Sequence, residues 1–257
     1  MANSAEPARD GEIPPVVWML PDRPGRGPKP AHSREQITTA AITIADAEGL
    51  DAVTMRRVAA EVGSGTMTLY RYVPTKDHLL DLMIDATEGE VVFPDARAGD
   101  WRAGLRAVAW MQRDRLLRHP WLASLEAGRP AFGPNSLRNV EQGFGMLDGL
   151  ELDIDQILVL VSTLLAFVRG EAIAELAEQE AQRRTGLTTQ QWQARMAPYI
   201  ATLIDSGKYP AFNRIITDAK LPHSGADEGF ALGLELVLDG LAASIPAPHR
   251  PTAPPPD

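Results

Sequence analysis

Cysteine is absent from the 257 residues, which excludes disulfides, thiolate metal sites and a cysteine nucleophile. No stretch of about 18 apolar residues free of charge occurs, so no membrane span is expected. The first ten residues carry Glu6, Arg9 and Asp10 and lack the apolar segment of a secretory leader, so a cytoplasmic location is expected. Strand-like alternation is missing throughout. So are a glycine-rich phosphate loop, a Gly-x-Ser-x-Gly elbow and a His-Glu-x-x-His pair. The histidines are His32, His78, His119, His223 and His249, and no two stand at i, i+4 spacing. His78 follows Lys76-Asp77 and reads as exposed. Neither a metal nor a cofactor is expected, and catalysis has no anchor.

The net charge of −9 argues against nucleic acid until its distribution is considered. Residues 1–76 hold nine Lys/Arg and nine Asp/Glu, so the acidic excess lies entirely in 77–257. Within 52–76, Arg56, Arg57, Arg71 and Lys76 are set against Glu61 alone. Exposed charges more than about 10 Å apart are largely screened at 0.1 M salt, so a local basic patch still attracts phosphates. The acidic remainder limits non-specific adhesion.

The length allows a small domain and a larger one with a core of its own. Residues 1–31 are rich in Pro and Gly and read as an extended arm, within which Val16–Leu20 is apolar enough to dock. Ser33 with Gln36 suits a capping box, Ile37, Ala40, Ala41, Ile44 and Ala47 recur at helical spacing, and Gly49 ends the run. Thr54 opens a second helix through Glu61. A third spans Thr66–Val73. Pro74 and Thr75 restart the chain as a longer helix with Leu79, Leu80, Leu82, Met83 and Ala86 on its apolar side. Further helices are predicted near 100–118, 120–128, 135–150, 153–180, 188–207 and 226–243, and the Pro-rich tail after 244 is expected to be disordered. The expected fold is all-α. An arm (1–31) leads to a three-helix helix-turn-helix DNA-binding domain (32–76), a helical ligand-binding and dimerisation domain (77–244) and the tail (245–257).

The stretch from Thr54 to Tyr72 carries the most information. Two short helices crossing steeply need a small residue where they touch, which Ala59 supplies, and a turn that tolerates positive φ, which Gly63 supplies four residues later. Val58, Val62 and Leu69 stand at the offsets that lock the corner. An ordinary helical hairpin can show the same spacing. The third helix tips the balance, because Thr66, Met67, Thr68, Tyr70 and Tyr72 are hydroxyl-bearing or apolar where a merely solvated face would carry Glu and Lys. Such groups suit phosphate hydrogen bonds and contact with thymine methyls. Arg56 can reach a base edge or a phosphate, and Lys76 can meet the backbone. Arg26 and Lys29 of the arm are candidates for further phosphate or minor-groove contacts.

At these residues the sequence resembles the tetracycline-repressor (TetR) family of bacterial regulators. The carrying segments are SREQITTAAITIADAEGLDAVTMRRVAAEVG (33–63) and TMTLYRYVPTKDHLLDLM (66–83), with weaker echoes at 118–137, 167–180 and 229–243. The resemblance implies a homodimer that reads a roughly palindromic operator through one recognition helix per subunit, and an effector that respaces the two heads. Carried over by position, the DNA-facing residues are Arg56, Thr66, Met67, Thr68, Tyr70, Tyr72 and Lys76. Two departures stand out. Ser64-Gly65 occupies positions where an aliphatic residue and a capping Ser are usual. The magnesium-binding His of tetracycline repressors falls on Leu125 or Glu126, so a different effector is expected.

For the effector, Trp110, Met111, Phe144 and Phe167 are the candidate apolar lining, with Glu171 as the polar group and Glu175, Glu178 and Glu180 as a solvated face. The apolar faces of 153–180 and 226–243 suit a four-helix interface between subunits. The partners expected are therefore operator DNA, a small-molecule effector and a second copy of the chain, and no membrane. The alternatives are an enzyme or carrier using a helical cavity without sequence-specific DNA binding, and a helical adaptor whose reading face is covered by protein.

Overall fold

Among the described residues of the computed structural model, 15–21, 32–93, 100–125, 130–219 and 225–245, all regular structure is helical. The helices are α1 (Arg34–Glu48), α2 (Met55–Glu61), α3 (Thr66–Tyr70), α4 (Lys76–Glu88), α5 (Trp101–Arg118) and α6 (Leu122–Leu125). They continue as α7 (Pro134–Gly145), α8 (Ile154–Thr185), α9 (Thr189–Asp205), α10 (Pro210–Asp218) and α11 (Ala226–Ser244). The expected tail after Ile245 and most of the arm, including Arg26 and Lys29, lie outside the described residues. The chain divides into two compact units: residues up to 92 together with 118–141, and 93–117 together with 142 onward.

In the first unit each helix begins at a polar cap. Ser33 and Gln36 form the reciprocal box that opens α1, Thr54 accepts from Arg57 N at α2, and Thr75 accepts from His78 N at α4. Helix α1 packs on α2 and α4, and α2 on α3. Ile37, Ala41 and Ile44 of α1, Val58 of α2, Leu69 of α3 and Leu79 and Met83 of α4 form the core, all at most 2% exposed. Burial of each such aliphatic side chain stabilises by about 1.5–3 kcal/mol.

A polar clasp adds to this core. His119 is 3% exposed; its Nδ1 lies 2.8 Å from Asp46 of α1 and its Nε2 3.0 Å from Glu90. Trp121 Nε1 donates to the same Asp46 oxygen at 2.7 Å, and Arg118 pairs with Glu90. Asp85, buried on α4, accepts from the backbone N–H groups of Asn135 and Ser136 and so caps the first turn of α7.

The second unit is organised by two ridges at three- to four-residue spacing. Helix α8 buries Leu160, Leu164, Val168 and Ala172, and α11 buries Phe230, Leu234, Leu238 and Leu241. The two helices pack together, and they approach closely at Gly233, where a Cβ would lie 2.9 Å from the Phe167 ring. One ridge each is all they bury. Ile154 (60%), Val159 (65%) and Leu236 (74%) remain exposed on the other faces. By length and composition α8 could cross a membrane: it holds an 18-residue stretch of mean hydropathy 2.0, of which 22% is buried.

Several boundaries differ from expectation. Helix α3 ends at Tyr70 instead of continuing to Val73, and α7 ends at Gly145 instead of near 150. In the 120–128 segment, Leu122–Leu125 is helical and 126–129 lie outside the described residues. Helix α8 runs to Thr185, where Gly186 at φ +68° returns its N–H to Gln182 O in a left-handed cap. Helix α10 was not anticipated; its signals were Pro210 at the first turn and the Phe212, Ile215, Ile216 spacing. His78 is not exposed but 7% accessible, its ring lying against the chain near Pro15, whose carbonyl is 3.1 Å from Nε2.

Gly133 tests the packing of the first unit. A Cβ there would sit 2.3 Å from the Asp85 carboxylate and 2.6 Å from the Trp18 ring. Gly133→Ala is expected to cost about 2 kcal/mol through overpacking, and a thermal melt should show it as a fall of several degrees.

Candidate nucleic-acid interface and effector site

Burial of the α2–α3 corner decides which side of α3 faces outward. Ala59 is 1% exposed at the helix contact, and Gly63 turns the chain at φ +67°, so that Ser64 N–H reaches Ala59 O at 2.8 Å. Leu69, 1% exposed, holds α3 down. On the other faces Met67 is 79% and Tyr70 41% exposed, while Thr66 and Thr68 are half-buried. Gly65 caps α3 without any side-chain hydrogen bond.

The two arginines of α2 have separate tasks. Arg57 is taken by Glu61 one turn on, at 2.7 Å, and by Glu48 of α1, at 3.0 Å. Arg56 stays exposed, as does Lys76 at the start of α4. The structure thus gathers Arg56, Met67, Tyr70 and Lys76 as exposed groups on and around the helix-turn-helix.

Tyr72 departs from the sequence-based list. It is 5% exposed and lies beyond the end of α3. The reason is periodicity: Leu69, Tyr72 and Val73 stand at i, i+3 and i+4 and share one face, which is the core face. Tyr72 therefore supports the corner from within.

In the second unit the sequence candidates separate. Trp110 and Phe167 meet through Phe230, with ring centroids 4.7 Å and 5.5 Å from it. Arg113, one turn after Trp110 on α5, lies with its guanidinium carbon 4.9 Å from the Phe230 centroid and 5.3 Å from that of Trp110. It pairs with Glu175 at 2.6 Å and Asp227 at 2.9 Å while only 4% of its side chain is exposed. Met111 and Phe144 are half-buried and outside this ring cluster, Phe144 following Gly143, whose Cβ would lie 3.7 Å from Phe93.

Glu171 is a correction. It precedes the buried Ala172 by one residue, about 100° around the helix, and is exposed. Glu175 stands three residues beyond Ala172, on the inward side, and is the carboxylate that meets Arg113. Sequence reasoning missed Arg113 and Asp227, read Glu175 as part of a solvated face, and placed Phe230 on the interface face of 226–243. The structure instead pairs Glu175 with Arg113 and buries Phe230 within the chain. The spacing of Trp110 to Arg113 was a usable signal; the pairing across three helices was not.

Nearby, Glu235 of α11 is clamped by Arg106 at 2.5 Å and Arg102 at 2.7 Å, and Arg102 also meets Asp239 at 2.6 Å. Hydrogen bonding from Arg106, then from Arg102, pulls the Glu235 carboxyl down to about 2.

Comparison with known proteins places these features. Residues 37–83 match the profile of bacterial regulatory proteins of the tetR family, and residues 93–245 match the tetracyclin repressor-like C-terminal domain. The chain is 37% identical over 257 residues to the HTH-type transcriptional repressor DrrR1 of Streptomyces coeruleorubidus, covering 98% of this chain and 94% of that protein. It is 33% identical over 201 residues to an HTH-type transcriptional regulator of Saccharopolyspora erythraea, covering 77% and 83%. The crystal structure of apo ActR from Streptomyces coelicolor is similar with a TM-score of 0.69 at 28% identity, covering 84% of this chain and 97% of that one. The structure of ActR in complex with actinorhodin gives a TM-score of 0.67 at 30% identity, covering 82% and 97%.

The Glu235 clamp makes a pH-dependent prediction. A carboxyl held below its ordinary value stabilises the fold above that ordinary value and loses the contribution as pH falls toward about 2. Glu235→Gln should therefore lower the melting temperature at neutral pH. The gap to the native chain should narrow steadily as melts are repeated at lower pH, from the ordinary glutamate range downward.

Proposed function

Because the chain belongs to the tetracycline-repressor (TetR) family, whose members are DNA-binding transcriptional regulators, we propose that it is a homodimeric repressor of a palindromic operator, released by a small-molecule effector. One observation carries the DNA side of this reading: α3 is pinned on its inner side by Leu69, which leaves Met67 and Tyr70 directed to solvent. In this reading residues 32–76 form the DNA-binding head and 77–244 the sensor. Met67 contacts thymine methyls, and Tyr70 supplies both a ring edge and a hydroxyl. Thr66 and Thr68 bond phosphates, and Arg56 and Lys76 neutralise them. Tyr72 has no place in this contact set.

The four-helix interface follows from the unfilled faces of α8 and α11. A row of aliphatic side chains with Val159 65% and Leu236 74% exposed is unfavourable in water, and a second copy presenting the same faces covers both at once. This use accounts for the apolar stretch of α8 without a bilayer and suits a cytoplasmic regulator.

The ring cluster of Trp110, Phe167 and Phe230 supports an effector with an apolar, ring-bearing body, and Met111 and Phe144 lie outside that cluster. The similar ActR has been crystallised with actinorhodin and with (S)-DNPA, which supports a small-molecule effector here. Arg113 and Glu175 supply the charged edge of that site.

Two measurements test the proposal. Tyr70→Ala is expected to weaken binding to an operator selected from the host genome by at least about tenfold, since one base contact is worth about 1–3 kcal/mol, while the dimer stays folded. An unaltered mobility shift for Tyr70→Ala would contradict the contact assignment. Leu236→Glu should leave the helical spectrum unchanged but give a monomer in sedimentation, and operator binding should fall with it; a variant that still sediments as a dimer would place the interface elsewhere.

A further inference from the structure

Residues 15–21 belong to none of the α-helices, and although Val16 and Met19 stay exposed, the first unit holds the segment through Val17, Trp18 and four of its backbone carbonyls. Val17 is fully buried within a short 3-10 turn, Val17–Met19. Trp18 Nε1 donates to Ala131 O at 3.0 Å, and its ring lies where a Cβ on Gly133 would come within 2.6 Å. His78 Nε2 reaches Pro15 O at 3.1 Å from the first turn of α4. Arg34, the first residue of α1, gathers the rest. Its Nη1 donates to Leu20 O at 3.1 Å and Val17 O at 3.4 Å, its Nη2 to Pro21 O at 3.0 Å, and its Nε to Tyr72 O at 2.9 Å.

Tyr72 lies two residues past the end of the recognition helix α3. A single guanidinium therefore joins this segment to the exit of α3, while Trp18 joins the same segment to the loop that leads into α7. Asp85 holds the same loop through the N–H groups of Asn135 and Ser136, and its carboxylate and the Trp18 ring both crowd the Cβ position of Gly133. We propose that residues 15–21 are a strap that sets the pose of α3 relative to the 131–136 loop, with Arg34 and Trp18 as positioning residues for operator binding. The proposal rests on the regulator reading given above. Its physical basis is the planar fork of arginine, whose five N–H donors can serve four carbonyls at once where the single ammonium of lysine cannot. Each carbonyl left unserved in a half-buried place is a lost hydrogen bond that loosens the strap and the end of α3 together.

The test uses full-length chain carrying Trp18→Phe, Arg34→Gln or both, with operator affinity measured by anisotropy over a series of salt concentrations and folding checked by thermal melts. Arg34→Gln is expected to weaken binding about tenfold, the loss of a charge-assisted hydrogen bond. The slope of log Kd against log salt stays at its native value, because no phosphate contact is removed. Trp18→Phe, which keeps the ring and loses the N–H, weakens binding about threefold. The double variant binds as Arg34→Gln alone, since both changes release one segment. Additive losses, unchanged affinities, or a salt slope reduced by about one, the mark of Arg34 touching a phosphate itself, each overturn the strap. Should Arg34→Gln fail to fold, Arg34→Lys carries the same comparison. Absence of operator binding by the native chain would instead remove the regulator reading, a distinct outcome.

Discussion

Burial of Leu69 is the contact on which the reading head depends. A five-residue helix has too few internal hydrogen bonds to persist alone, so α3 exists because its inward side is held against α2. The same contact fixes rotation about the helix axis. With Leu69, Tyr72 and Val73 inward, Met67 and Tyr70 must point outward, and no separate device is needed to present them. Gly63 contributes the sharp turn, and Ala59 the close approach that lets α2 and α3 cross there.

The charged groups of the first unit are divided between holding and presenting. Arg57 is spent on Glu48 and Glu61, Arg34 on backbone carbonyls, and Arg118 on Glu90, all of them internal ties. Arg56 and Lys76 stay in solvent near α3. Arg56 and Lys76 therefore act as exposed cations on a chain of net charge −9, where screening lets their charge count locally.

The second unit uses charge differently. Arg113 is almost wholly withdrawn from water, and what makes this tolerable is Glu175 together with the faces of Trp110 and Phe230. Arg102 and Arg106 fasten α5 to α11 through Glu235. Helices α8 and α11 each bury a single four-residue ridge, so their remaining apolar residues are surplus to the needs of one chain. That surplus is the physical ground for expecting a second copy.

Of the five residues expected on the outer side of α3, tertiary structure selected Met67 and Tyr70 as the exposed pair. The sequence by itself determined the helical class, the caps at Ser33, Thr54 and Thr75, and the corner at Ala59 and Gly63. These rest on interactions among residues within about four positions of each other, which spacing records directly. The inward turn of Tyr72 was also legible in its i+3 relation to Leu69 within the expected helix to Val73, but a reading that weighs its hydroxyl above its spacing turns it outward. Tertiary structure alone decided that Glu175 and not Glu171 meets Arg113, that His119 bridges Asp46 and Glu90, and that residues 15–21 are bound by Arg34 and Trp18. Those contacts join positions from 13 to 113 residues apart, and a pairing over such distances depends on how whole helices pack, which no local pattern encodes.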